Sequence, residues 1–184
     1  MTEELPTPHC YRVDTGFLAG NYPRTRDTDS SREKFRRILD AGVTCFVDLT
    51  TPHDPLEPYD HLLSELADGA VIRESHPVPD MSIPGSREQT RSILDTIDRV
   101  RDEGGTVYLH CWGGIGRTGT IVGCWLVRHG MTGDEALDRV GTLWASRPDS
   151  DWSTSPQTEP QFRYVREWRA EQRRAGSDVQ GGDE

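Results

Sequence analysis

Lysine is nearly missing from this chain: of its 21 basic residues, Lys34 alone is not an arginine. A nucleotide loop ending in Gly-Lys-Ser/Thr and a Schiff-base enzyme both depend on a suitably placed lysine, so both classes are set aside. Cysteine is scarce as well. Cys10, Cys45, Cys111 and Cys124 show no close pairing and no apolar signal segment opens the chain, which predicts a reducing, cytoplasmic setting rather than a disulfide framework. The six histidines show neither zinc-finger spacing nor a His-Glu-x-x-His pattern, so no metal and no other cofactor is expected. No apolar run approaches the ~20 residues that cross a bilayer. Positive charge is outnumbered 21 to 31, and the formal net charge of −10 speaks against nucleic acid or an anionic membrane as the main partner. An anionic substrate stays compatible with that balance, because a local positive pocket can sit in an acidic surface.

The 184 residues fit a single domain, expected over 9–174, between a loose N-terminus (1–8) and an acidic, glycine-rich disordered tail (175–184). Tyr11–Val13 and Phe17–Ala19 predict a short hairpin. Ser30-x-x-Glu33 predicts a capping box for a helix ended by Gly42, followed by a buried strand over Val43–Leu49. A helix over His61–Ala67 and a strand over Ala70–Glu74 come next. Ser86-x-x-Gln89 caps a helix stopped by Gly104-Gly105, and Thr106–His110 is a strand. Thr120–Val127 reads as a buried helix, Thr132-x-x-Glu135 caps another, and a last helix carries Phe162, Val165 and Trp168. The alternation predicts an α/β fold: a three-layer sandwich with a central, mostly parallel sheet of four to five strands flanked by helices, its ligand beyond the strands' carboxyl ends.

The chemistry concentrates in His110-Cys111-Trp112-Gly113-Gly114-Ile115-Gly116-Arg117-Thr118. Its glycines allow backbone angles other residues resist, so successive N–H groups can form a nest around a tetrahedral oxyanion. The following helix adds its N-terminal N–H groups and dipole. Such a field favours a thiolate: a free cysteine, with pKa of about 8.5, can fall to roughly 3.5–7.5 beside a helix N-terminus or a cation. Arg117 supplies a planar fork for two phosphate oxygens, and Thr118 a hydroxyl for the sulfur.

Cysteine, five residues, arginine and then Ser/Thr resembles the signature of the cysteine-dependent protein-tyrosine phosphatases, and His110 and Gly119 fit it too. The loop is most similar to those of small dual-specificity phosphatases. Val78-Pro79-Asp80-Met81 resembles the mobile acid loop of that superfamily, and Gln157-Thr158-Glu159-Pro160-Gln161-Phe162 its glutamine loop. Gly16 to Pro23 is similar to a lead-in segment of the small phosphatases. The resemblance implies Cys111 as nucleophile, Arg117 and the backbone of Trp112, Gly113, Gly114, Ile115 and Gly116 as the phosphate cradle, and Asp80 as general acid and base. It also implies Gln157 as the group that orients water and His110 as a support of the loop. A phosphorylated protein or peptide is the expected partner and a monomer the expected state, with phosphotyrosine favoured and phosphoserine or phosphothreonine open. The loop lacks the lysines that inositol-phosphate and lipid phosphatases of the superfamily usually place there.

Other readings stay open at this point. A rhodanese-like sulfurtransferase also builds an anion-binding cysteine loop, but needs neither the upstream aspartate nor the glutamine loop. An RNA 5′-triphosphatase shares the cysteine and arginine, though the acidic composition offers no track for RNA. A phosphoprotein-binding module without turnover would not need Cys111, Arg117 and Asp80 together. Asp54 and Asp60 are weaker rivals for the acid role, and Cys45 and Cys124 read as packing.

Overall fold

The computed structural model describes residues 4–67 and 69–169, so the tail expected at 175–184 lies outside the described residues. Five strands, β1 (Cys10–Asp14), β2 (Phe17–Gly20), β3 (Val43–Asp48), β4 (Ile72–Ser75) and β5 (Thr106–His110), form one sheet in the order β1-β2-β5-β3-β4. β1 is antiparallel to β2, and every other pair is parallel. The sandwich with a mostly parallel sheet is therefore present.

The period of two along each strand sorts the core into two layers. Leu18, Phe46 and Tyr108 point to one face, where they meet Phe35 and Ile38 of α1 (Thr28–Asp40) and Leu62 and Leu63 of α2 (Asp60–Ala67). Phe17, Ala19, Val47, Val107 and Leu109 point to the other. There they pack with α3 (Arg87–Asp102), α4 (Gly116–Arg128), α5 (Gly133–Ala145) and α6 (Glu159–Arg166). α4 is the most buried helix, because it lies between the sheet and its neighbours α3, α5 and α6. Among the described residues no helix is long and apolar enough to cross a membrane.

The caps show where local sequence decides. Ser86 accepts from Gln89 N, and Thr132 forms the full capping box with Glu135. At α1 the sequence expectation needs correction: Asp27, not Ser30, is the N-cap, its carboxylate accepting from Ser30 N at 2.8 Å, so the helix starts earlier. Both residues are good caps, and Ser31 settles the choice by bonding Thr25 and Asp27 in the turn just upstream. The strand expected over Ala70–Glu74 shifts C-terminally, to Ile72–Ser75, where it matches the register of β3.

Candidate active site

β5 delivers Cys111 at its carboxyl end, and α4 begins at Gly116 without a side-chain cap, so the helix N-terminus is left facing the loop between them. The loop is held from outside by its carbonyls. Trp112 O accepts from Tyr22 N at 2.8 Å. Gly113 O and Gly114 O accept from the buried Arg147 at 3.2 and 3.4 Å, and Ile115 O accepts from Ser155 Oγ at 2.8 Å. A planar trans peptide points its N–H opposite to its C=O. Fixing four successive carbonyls outward therefore turns the N–H groups of Gly113, Gly114, Ile115 and Gly116 inward, as an anion nest requires. Gly114 is required by its surroundings: its φ is +71° and a Cβ there would stand 2.4 Å from the Gly20 carbonyl.

Cys111 is 3% exposed at the base of this loop. His110 supports it from the other side of the strand. Its Nδ1 lies 3.3 Å from Cys111 O and its Nε2 2.7 Å from Tyr59 Oη. A carbonyl can only accept, so Nδ1 carries the proton and Nε2 accepts from Tyr59. Burial, partly opposed by Asp48, pushes the His110 pKa down to about 4, so the ring is neutral at physiological pH with both nitrogens engaged by Tyr59 and Cys111.

Arg117 is nearly enclosed. Its Nη atoms reach both Asp54 carboxylate oxygens at 3.0 Å, Val78 O at 3.0 Å and Asp80 Oδ1 at 3.0 Å. Burial opposes the charge, but the Asp54 hydrogen bonds and the nearby negative groups outweigh it and raise the arginine's pKa. Burial likewise works against the Asp54 carboxylate, and Arg117 and Thr51 more than compensate, holding it below its ordinary value. Among the described residues neither Arg117 Nε nor Thr118 Oγ1 has a hydrogen-bond partner, although both are buried. Unpaired buried donors beside an inward-facing ring of amides fit an incoming oxyanion. Thr118 Oγ1 is thus not drawn onto Cys111 Sγ in this state.

The flanking segments converge on the same loop. Asp80 is half exposed at its rim, and Met81 beside it has φ +58°. A Cβ on Gly116 would lie 2.6 Å from Gln157 Oε1, which puts Gln157 against the loop's last glycine. Gln161 is buried: its Oε1 accepts from Gln157 N at 3.0 Å, and its Nε2 donates to Ser82 O at 2.9 Å, tying the glutamine segment to the acid loop. Trp112 is 45% exposed at the rim. Cys45 and Cys124 are buried elsewhere, and burial pushes their thiols up, Cys45 to about 12. Sequence reasoning missed the roles of Arg147 and Ser155, and placed Tyr22 only within the lead-in segment. Asp54, a rival for the acid role in the sequence, pairs with Arg117 through both carboxylate oxygens.

A cysteine and an arginine sharing one amide-lined loop, between a central parallel strand and a buried helix, define a small protein-tyrosine and dual-specificity phosphatase domain. Residues 20–131 match the family model Tc-R-P, described as "Polymorphic toxin system, DSP-PTPase phosphatase", and the chain belongs to that family. Among curated proteins, a tyrosine phosphatase named 067L in Invertebrate iridescent virus 3 is 32% identical over 156 residues, 79% of this chain and 59% of its own length. The phosphatidylglycerophosphate phosphatase PTPMT1 of Arabidopsis thaliana is 31% identical over 133 residues, 72% of this chain and 36% of its own. The chain thus spans less than two thirds of either relative. Among solved structures, Tk-PTP in its active form superposes with a TM-score of 0.67 at 27% identity, covering 88% of this chain and 96% of that one.

Proposed function

We propose that this chain hydrolyses phosphate monoesters through a cysteinyl-phosphate intermediate, with phosphotyrosine in proteins as the favoured substrate and phosphoserine or phosphothreonine as further ones. The observation that carries the reading is Arg117, buried, clasped by Asp54 and joined to Asp80, on the loop that holds Cys111. The inward N–H groups and Arg117 bind the three non-bridging oxygens and stabilise them as charge shifts. Cys111 Sγ attacks phosphorus in line. The S–P bond forms as the bond to the ester oxygen breaks, and Asp80 gives that oxygen its proton. Substrate phosphate takes over the Arg117 Nη2 contact, which frees the half-exposed Asp80 to take up a proton from solvent for this step. In the second step Asp80, now a carboxylate, takes a proton from a water placed by Gln157. That water's oxygen bonds phosphorus as the S–P bond breaks, inorganic phosphate leaves and the thiolate returns.

The absence of any charged side chain between Cys111 and Arg117 supports a singly phosphorylated group over a polyphosphorylated one. The likeness to PTPMT1 favours a second reading, a phospholipid headgroup, and makes phosphatidylglycerophosphate the comparison substrate. The test is Asp80→Ala. kcat/KM for phosphotyrosine peptides, which reports the step that forms the intermediate, should fall about 10²–10³-fold, within the range of acid–base catalysis, and that for p-nitrophenyl phosphate far less, because its leaving group needs no proton. Equal loss of kcat/KM for both esters would remove Asp80 from the acid role. Faster wild-type release from phosphatidylglycerophosphate than from phosphotyrosine peptides would move the substrate class to lipid.

A further inference from the structure

Lys34 is the chain's one lysine, and its place on α1 faces the segment that presses on the phosphate loop. Its Nζ donates to Asn21 Oδ1 at 2.7 Å and to Tyr22 O at 2.8 Å, both neutral acceptors. Those two residues touch the loop directly. Tyr22 N donates to Trp112 O, the Tyr22 ring stands edge-on to His110 at 5.4 Å, and Asn21 N lies 2.6 Å from where a Gly114 Cβ would be. The segment has further ties in Asn21 N to His9 O at 3.1 Å and Tyr108 Oη to Asn21 O at 3.0 Å.

We infer that Lys34 is a positioning residue for the phosphate loop: by clamping Asn21 and Tyr22 to α1 it holds Trp112 O outward and keeps the backbone against Gly114. The inference rests on the phosphatase reading and goes beyond it, since Lys34 touches no reacting atom. The two acceptors converge on one nitrogen, which suits the compact donor set of an ammonium better than a planar guanidinium. That geometry gives a reason for lysine here in a chain that uses arginine at every other basic position. Burial pushes the Lys34 pKa down to about 8, so holding the charge against neutral oxygens has an energetic cost. A clamp on the catalytic loop accounts for that cost. The amine also borders a cavity of about 450 Å³ lined by Thr7, His9, Asn21 and Arg37, so exchanging it for a methionine leaves the apolar stem in place and opens no void in the core.

The test uses the full chain, with Lys34→Met, Lys34→Arg, Asn21→Ala and the Lys34→Met/Asn21→Ala double variant. It reads kcat/KM for p-nitrophenyl phosphate, the inhibition constant of vanadate as a probe of loop geometry, and Tm. Losing hydrogen bonds from a charged donor should cost Lys34→Met about tenfold in both kcat/KM and vanadate affinity. Lys34→Arg should fall between it and wild type. Asn21→Ala should move the same way, with the double variant losing less than the two singles together, as expected for residues acting through one contact. If Lys34→Met does not fold, Asn21→Ala carries the vanadate measurement by itself. A Lys34→Met with lowered Tm but wild-type vanadate affinity would overturn the inference, as would full additivity with Asn21→Ala. A wild-type chain without turnover would overturn the phosphatase reading, and this one with it. Active wild type with unaffected variants overturns this one alone.

Discussion

His110 should make the fold acid-sensitive in a defined pH window. It is fully buried and neutral between Tyr59 Oη and Cys111 O, with its pKa pushed from the ordinary 6.5 to about 4, mainly by burial. In the unfolded chain the ring takes up a proton near pH 6.5, while in the folded chain it resists until about pH 4. Between those values the unfolded state binds more protons, so stability falls as pH is lowered. A gap of roughly 2.5 pKa units at 1.36 kcal/mol each gives about 3 kcal/mol lost across the window. His76, also lowered by burial, adds a loss of the same sign. Asp48, Asp54 and Asp98, held below the ordinary 3.8, contribute only below about pH 5. Urea unfolding from pH 7.5 to 4 should therefore show a slope that His110→Asn reduces by about 3 kcal/mol over the window, whatever the variant's stability at neutral pH. Parallel pH profiles for wild type and variant would refute the neutral, buried imidazole.

Two substitutions probe the rest of the site. Asp54→Ala leaves Arg117 with only Val78 O and Asp80, and should destabilise the fold by roughly 3 kcal/mol, the low end for breaking a buried pair. Its kcat/KM should fall about 10²-fold because the arginine is no longer aimed, and a variant with wild-type kcat/KM would contradict the orienting role. Gly114→Ala meets positive φ and the Gly20 backbone at once and should abolish turnover and vanadate binding, whereas Gly113→Ala, which meets only the Ile115 side chain at 3.2 Å, should keep both. Equal activity of the two alanine variants would remove the strain argument.

Legibility in the sequence followed the range of the forces involved. Thr132-x-x-Glu135 and Ser86-x-x-Gln89 act within one helical turn, and both caps form where the spacing predicts. The β5–loop–α4 unit was equally readable, because strand, glycines and helix are contiguous. At α1 two competent caps lay three residues apart, and Ser31's bonds to the preceding turn made the choice. The groups that hold the loop's carbonyls come from distant segments: Tyr22 at the end of β2, Arg147 after α5, Ser155 before α6. No local pattern marks a group that bonds a remote carbonyl. Asp54 was hidden for a related reason, since a polar turn rich in Asp, Pro and Thr is consistent with solvent as readily as with a buried arginine.

The covalent step is the account's central claim, and trapping the intermediate tests it most directly. Asp80→Ala should still be phosphorylated by p-nitrophenyl phosphate, which needs no acid, but should hydrolyse slowly for lack of a base, so acid quenching followed by mass spectrometry should find phosphate on Cys111 and none in the Cys111→Ser/Asp80→Ala variant. Phosphate release with no label on Cys111, or turnover surviving in Cys111→Ser, would contradict the account.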